Sequence, residues 1–174
     1  MRSGPMITGL LVASWTALPA AAQQNATFLC APGIVGGART QSVGNVDVST
    51  CSDVIGLSLG VQSAGGDVRR AGRTECEPIE VLKPIDRASP EYLRRAFEQS
   101  QLQRVDVRLF APDPDTGETR QMLDVSLRQV AITGVGQEVA AGQAFERLTL
   151  AANQVIVTFP ETGGAATLAC QAGR

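Results

Sequence analysis

The sequence predicts a mainly β protein with one short α-helix near its middle. Most segments between turn signals alternate apolar and polar residues with a period of two, which is typical of strands with one buried face. Only residues 86–100 combine the start signals of a helix with apolar residues at helical spacing. Eighteen glycines and few aromatic residues suit a turn-rich β fold. The 174 residues suffice for one domain with a substantial core.

The first 22 residues predict a secretory signal peptide. Arg2 supplies a basic start, residues 6–18 are mostly apolar, and residues 19–23 (PAAAQ) offer a small-residue cleavage site after Ala22. The alternative is a retained N-terminal anchor, for which the apolar run is short. We therefore expect a domain over residues 23–174 that is periplasmic or secreted in a Gram-negative-type cell, without membrane insertion after cleavage.

Composition argues against several classes of function. The chain has no histidine, which removes the usual general base and the commonest metal ligand. The formal net charge is −2 and no strongly basic patch stands out, so nucleic acid is not an expected partner. No nucleophile has a plausible base, and neither paired carboxylates nor a phosphate-binding loop is visible. We predict that the protein is not an enzyme and has no catalytic, cofactor-binding or metal site.

The four cysteines predict two disulfides. Their number is even, all lie after the predicted signal peptide, and an exported protein meets an oxidising compartment. Three pairings are open, and a reactive thiol is the alternative. A pair that includes the last cysteine would close the largest loop and secure the C-terminal tail. The candidates are Cys30, Cys51, Cys76 and Cys170.

Three strands are predicted before the helix. Residues 26–31 form the first, and a glycine-rich loop follows over residues 34–45. Residues 53–62 alternate, with Ile55, Leu57, Leu59 and Val61 on one face. A long loop over residues 63–73 precedes the third strand, residues 75–85, which carries Ile79 and Val81 on one face. Its prolines, Pro78 and Pro84, indicate an edge strand or bends.

The helix is predicted from its first turn. Ser89 is a candidate N-cap, Pro90 fits the first helical position, and Glu91 suits the positive end of the helix dipole. Its apolar or small face is expected to pack on the sheet, and its charged face to meet water. The residues of the packed face are Leu93, Ala96, Phe97 and Ser100; those of the charged face are Arg94, Arg95 and Glu98.

The strands after the helix are more regular. Residues 104–110 alternate, and residues 112–117 form a turn. In residues 120–132 the apolar parity switches between Leu127 and Val130, which predicts a bulge or bend. Residues 133–142 are interpreted as a glycine loop, and further strands as residues 145–151, 154–159 and 166–170. Periodicity and spacing thus favour a small β-barrel or sandwich with a helix beside it.

The order of these segments resembles the haemolysin-coregulated protein (Hcp) family, the tube subunits of the type VI secretion system. The most specific stretch runs from Lys83 to Pro90 (KPIDRASP), with an Asp-Arg pair and Ala-Ser-Pro opening the helix. The resemblance covers about residues 27–160. Its other motifs are Phe28-Leu29-Cys30, Gly60-Val61-Gln62, Val105-Asp106-Val107-Arg108-Leu109, residues 122–134, residues 145–150 and residues 154–159.

The resemblance implies a compact two-sheet barrel with one short helix packed beside it. It also implies a structural protein that forms a hexameric ring, a homo-oligomer able to stack into a tube and to guide effector or other secretion-system proteins. Family tubes assemble in the cytoplasm, whereas a cleaved signal peptide would export this chain separately. We therefore expect an exported Hcp-like protein. The alternative is a monomeric periplasmic binding or inhibitor module that reuses the barrel.

Two surfaces are candidates for assembly. The loop over residues 63–73 is either solvated or, by the resemblance, a contact with the next ring through Asp67, Arg69, Arg70 and Arg73. Candidate subunit contacts are Arg94, Arg95, Glu98 and Glu146. Glu146 could pair with an arginine across a subunit boundary, although a surface salt bridge worth little is the alternative. Residues 113–118 faintly resemble a calcium loop, but a plain hairpin turn is favoured.

Overall fold

The computed structural model describes residues 25–63, 74–140 and 142–170. The predicted signal peptide and all four charged residues of the 63–73 loop lie outside these ranges. Within them the chain is mainly β with one helix, which confirms the predicted class. The elements in chain order are β1 (Ala26–Cys30), β2 (Ser42–Val43), β3 (Val46–Asp47), β4 (Ser52–Val54), β5 (Gly56–Ser58), β6 (Val61–Ser63), β7 (Thr74–Cys76), β8 (Ile79–Pro84), α1 (Ser89–Glu98), β9 (Leu102–Pro112), β10 (Thr119–Ala140), β11 (Gln143–Phe159) and β12 (Gly164–Ala169).

One eight-stranded sheet makes up most of the fold. Its strands follow the order β4-β1-β9-β10-β11-β8-β5, and β12 adds to β11 beside β8. The neighbouring pairs along this path are antiparallel. The two ends of the path, β4 and β5, are separated in the chain by Ile55 alone, whose amide donates to the Leu82 carbonyl. The sheet therefore curls into a nearly closed barrel whose seam is a single chain segment.

The main core fills the barrel. Its buried side chains come from inward positions of alternate residues, as the period-two patterns predicted. Val105 and Val107 of β9, Val125 and Leu127 of β10, and Leu148 of β11 belong to it. A second, smaller core lies on the other side of β1 and β9, beneath the excursion between β1 and β4. Its buried members are Phe28, Val48, Cys51 and Phe110.

The structure pairs the cysteines as Cys30–Cys51 and Cys76–Cys170. The first bridge closes the excursion between β1 and β4 at the small core. The second joins β7 to the residue after β12, across a sequence separation of 94 residues. In the chain-entropy view, closing loops of these lengths stabilises the fold by about 3 and about 5 kcal/mol.

Four predicted elements differ from the structure. The strand over residues 53–62 is three short strands, because the chain bends at Ile55 and changes partner. Residues 133–140 are not a loop but the continuation of β10, paired with β11 through Gly134 and Gly136. β11 runs unbroken past Asn153. Of the two alternatives for residues 75–85, an edge strand is excluded for β8, since β11 and β5 flank it, whereas the predicted strand is interrupted next to Pro78, between β7 and β8.

The predicted irregularity in β10 falls at Gln129. This residue has a φ of 50°, in the left-handed region that non-glycine residues rarely adopt. The inward residues are Val125 and Leu127 before it, and Val130 and Ile132 after it. The side-chain amide of Asn153 donates to Gln129 Oε1 at 2.7 Å. The parity switch therefore marks a bend that keeps both halves of the strand facing the core.

Candidate functional site

A buried cluster of charged side chains lies where β8 ends and α1 begins. Lys83 is the last inward residue of β8, after Ile79 and Val81, and its side chain is fully buried. Glu146 lies directly opposite it in the antiparallel pairing with β11 and is also fully buried. Two inward positions on adjacent strands thus bring opposite charges together inside the barrel. We call Lys83, Asp86, Ser89 and Glu146 the helix-entry cluster.

The Lys83 ammonium is satisfied on every side. Its Nζ donates to Glu146 Oε1 at 2.6 Å, to Asp86 Oδ1 at 2.8 Å and to the Pro84 carbonyl at 2.9 Å. The Ser89 hydroxyl lies 3.3 Å from the same nitrogen and donates to Glu146 Oε1 at 2.7 Å. Such a network is needed because an unpaired buried charge costs several kcal/mol. Glu146 Oε2 has no hydrogen-bond partner among the described residues.

Asp86 connects the helix-entry cluster to two further segments. Its Oδ2 accepts the Gly37 amide at 2.8 Å, and its Oδ1 accepts the Ala88 amide at 2.9 Å. Burial raises the pKa of Asp86, but the hydrogen bonds from Lys83 and Gly37 and the Lys83 charge outweigh it, so the pKa lies below its ordinary value. Asp86 is therefore ionised and holds the loop before β2 against the start of α1.

Glycine is required where this loop approaches the barrel. A Cβ at Gly36 would overlap the Cys51 carbonyl, and one at Gly37 would press on the Asp86 side chain. The Arg87 side chain also donates to the Gly36 carbonyl. Asp86 and Arg87, at the start of the helix, thus both hydrogen-bond to the Gly36–Gly37 backbone. This contact gives a physical reason for both residue types at these positions.

The helix packs through a different face from the one predicted. Tyr92 is 2% exposed and belongs to the main core, and Ala96 packs beside it. Phe97, predicted to be buried, is 90% exposed, and Leu93 is 51% exposed. The buried stripe is Ser89, Tyr92 and Ala96, at the same helical spacing as the predicted one but rotated around the axis. The Tyr92 ring centroid lies 5.7 Å from Lys83 Nζ, so the helix also covers one side of the helix-entry cluster.

The helix entrance is capped differently from the prediction. Helix α1 begins at Ser89 itself, and no side chain caps it from the position before. The Ser89 hydroxyl accepts the Asp86 amide at 3.0 Å instead of an amide of the first helical turn. Ser89 therefore joins the helix to the buried ion pair rather than terminating its backbone.

The outer face of α1 carries the second charged group. Arg94 donates to Glu91 at 2.5 Å and to Glu98 at 2.7 Å, and Arg95 donates to Glu91 at 2.9 Å. The hydrogen bonds from Arg94 and Arg95 lower the pKa of Glu91 to about 2. We call Glu91, Arg94, Arg95 and Glu98 the outer charge row. As predicted, Arg94 and Glu98 face outward, but their charges are already matched within the helix.

Glu146 lies inside the barrel and not on an exposed surface of the chain. The prediction placed it at a boundary or on the surface, whereas the structure buries it against Lys83 of the same chain. Of the remaining assembly candidates, Arg94, Arg95 and Glu98 lie on the helix exterior. Asp67, Arg69, Arg70 and Arg73 lie outside the described residues. The correction follows from strand parity, because Glu146 shares the inward side with Leu148 and Leu150.

The remaining candidate sites can be located in the part of the chain that the structure describes. No group of three or more cysteine or carboxylate side chains among them is placed to hold a metal ion. Asp113 closes its turn by accepting hydrogen bonds from the amides of Asp115 and Thr116, as a tight hairpin requires.

An open groove of about 790 Å³ lies between the start of β1 and the end of β8, with Arg39, Asp53 and Ile85 in its lining. No described helix is long and apolar enough to cross a membrane.

A family model described as the type VI secretion system effector Hcp matches residues 28–159. The chain belongs to the Hcp family. The matched range includes the whole helix-entry cluster and its contacts with β11. Proteins of this family are structural components of the secretion system, and family membership does not favour the monomeric binding or inhibitor module.

Solved Hcp structures share the fold. The Hcp1 protein of E. coli EAEC 042 superposes with a TM-score of 0.70 at 15% identity, over 84% of this chain and 99% of that chain. The secreted protein Hcp3 of Pseudomonas aeruginosa gives 0.67 at 18% identity, over 87% of this chain and 100% of that chain. Hcp1 of Salmonella typhimurium gives 0.66 at 15% identity, over 82% and 91%. A comparison with curated proteins found no match.

Proposed function

We propose that this chain is an exported, ring-forming structural protein related to the type VI secretion tube. The observation that carries the proposal is the Hcp family match over most of the barrel, residues 28–159. The ring is taken to be hexameric, and effectors or other secretion-system proteins are the proposed partners. The role needs no catalytic group, because a ring acts through its shape and its contacts.

Rigid subunits suit such a role. The seam of the barrel, the two disulfides and the helix-entry cluster each fix one segment against another. A ring built from subunits that keep one shape loses less conformational entropy on assembly. These features support the proposal.

Assembly can be tested on the mature protein, residues 23–174, by size-exclusion chromatography with light scattering. The expected mass is six times that of the protomer. A strict monomer at high concentration would overturn the ring while leaving the family and fold intact. Charge reversal of Arg94 and Arg95 to Glu should weaken the ring if the helix exterior is a contact, and Arg39→Glu serves as a control at another exposed position.

Export and signal cleavage need their own measurement. N-terminal sequencing of the protein recovered outside the cytoplasm should find Gln23 as the first residue. A recovered chain that still begins at Met1 would overturn cleavage but would not affect the ring. The two experiments thus separate where the protein acts from how it assembles.

A further inference from the structure

Strand β12 is a largely exposed strand of the main sheet. None of its six residues is buried, and only Leu168 packs against the main core. Among the described residues it pairs with one strand, the Gln154–Phe159 end of β11. Its sequence, GAATLA, has a single large apolar side chain, Leu168, and none of the charges that usually protect a sheet edge.

The segment of β11 that pairs with β12 is much more apolar than β12 itself. Residues 154–159 (QVIVTF) carry no charge and no proline, and three of the six are β-branched aliphatic residues. Val155 is buried, and Ile156 and Val157 are half-buried. A segment of this composition with a free edge readily accepts another strand. β12 therefore covers an edge that would be reactive toward strand pairing if it were exposed.

The Cys76–Cys170 disulfide fixes β12 at its far end. Cys170 follows β12 directly, and its amide donates to the Asn153 carbonyl at 2.8 Å. Cys76 ends β7, which pairs with β6 in a small sheet separate from the main one. The bridge thus ties β12 to a distant part of the chain, while its near end is held by the short turn over residues 160–163.

We propose that the Cys76–Cys170 disulfide is a redox latch that holds β12 over the edge of β11. A dithiol reductant supplies two electrons and two protons, which converts the disulfide into two thiols and the reductant into its own disulfide. With the latch open, β12 frays from β11 and uncovers residues 154–159. With the latch closed, the edge is covered. The inference concerns one chain and does not depend on the proposed ring.

Hydrogen exchange measured by mass spectrometry tests the latch. In the variant Cys30→Ser/Cys51→Ser, a dithiol acts on the latch alone. We expect reduction to accelerate amide exchange by about tenfold or more at residues 164–169 and at those amides of residues 154–159 that face β12 and not β10, while β1 and β9 keep their protection. Equal exchange in the oxidised and reduced protein, or the same acceleration throughout the sheet, would overturn the latch.

The reciprocal variant, Cys76→Ser/Cys170→Ser, is the matched control. Its exchange at residues 164–169 and at the same amides of residues 154–159 should already be fast, and a dithiol should not accelerate it there. If either variant fails to fold, native wild-type protein is reduced instead and the same two ranges are followed. A latch requires that they lose protection before β1 and β9 do; simultaneous loss would contradict it.

Discussion

The two groups of charges on either side of α1 contain the same kinds of ion pair but should contribute differently to stability. The helix-entry cluster places Lys83 against Glu146 with both side chains fully buried. The outer charge row places Arg94 against Glu98 with side chains 50% and 46% exposed. Water already solvates the second pair, so its loss costs little, whereas breaking the first leaves a charge stranded in the core. Distances alone would rank the two groups as equals; burial separates them.

The largest effect is expected from removing the buried cation. Lys83→Met leaves Glu146 without its cation in a fully buried position, so the free energy of unfolding should fall by about 3–5 kcal/mol. Urea denaturation followed by circular dichroism measures this. A loss as small as that for an exposed lysine would mean that the cluster is solvated in solution.

The face of the helix gives the next largest contrast. Tyr92→Ala removes a buried aromatic ring and should destabilise the protein by about 3 kcal/mol or more. Phe97→Asp should change stability by no more than about 0.5 kcal/mol, because the ring it removes is exposed. Parallel urea curves compare the two variants. Severe destabilisation by Phe97→Asp in the monomer would restore the originally predicted face.

Replacing both members of the buried pair should cost less than the two single replacements added together. In Lys83→Met/Glu146→Leu no unpaired charge remains between the strands, and Asp86 keeps its bonds from Gly37 and Ala88. We expect the double variant to recover about 1–3 kcal/mol relative to the sum of the single changes. A double-mutant cycle gives this coupling energy, and strict additivity would show that the pair does not interact.

The smallest effect belongs to the outer charge row and is best seen by titration. The folded pKa of Glu91 is about 2, below the ordinary value of 4.5. Its ionised form is thus favoured in the folded state, and this contribution is present above pH 4.5 and lost as the pH falls through about 2. Carboxyl NMR should show the low midpoint, and Arg94→Gln should raise it while lowering the urea midpoint only slightly, because the pair is exposed.

Strand parity could have revealed the helix-entry cluster from sequence. Lys83 falls on the same side as Ile79 and Val81, and Glu146 on the same side as Leu148 and Leu150. Charged residues at two inward positions require each other, since neither can be buried alone. What the sequence could not supply was the pairing of β8 with β11, which joins positions 63 residues apart. The family resemblance singled out the Lys83–Pro90 stretch without assigning the role of its lysine.

Local patterns failed where tertiary contacts decided the outcome. The face with Leu93 and Phe97 is the more apolar one, yet Tyr92 and Ala96 meet the barrel, because the entry at Asp86 and Ser89 fixes the rotation of the helix. Residues 133–140 looked like a loop because of their glycines. In the structure a Cβ at Gly134 would meet Thr149 at 3.2 Å, so glycine there serves close strand packing.

The seam at Ile55 has a consequence for the order of folding. β4 needs β1 as its partner and β5 needs β8, so the segment from Ser52 to Ser58 cannot complete its hydrogen bonds until both ends of the sheet exist. Contacts that must wait for distant strands form late and slow the overall rate. Substitutions in this short segment should therefore speed unfolding more than they slow folding. We therefore expect the short segment that joins β4 to β5 to close the barrel last.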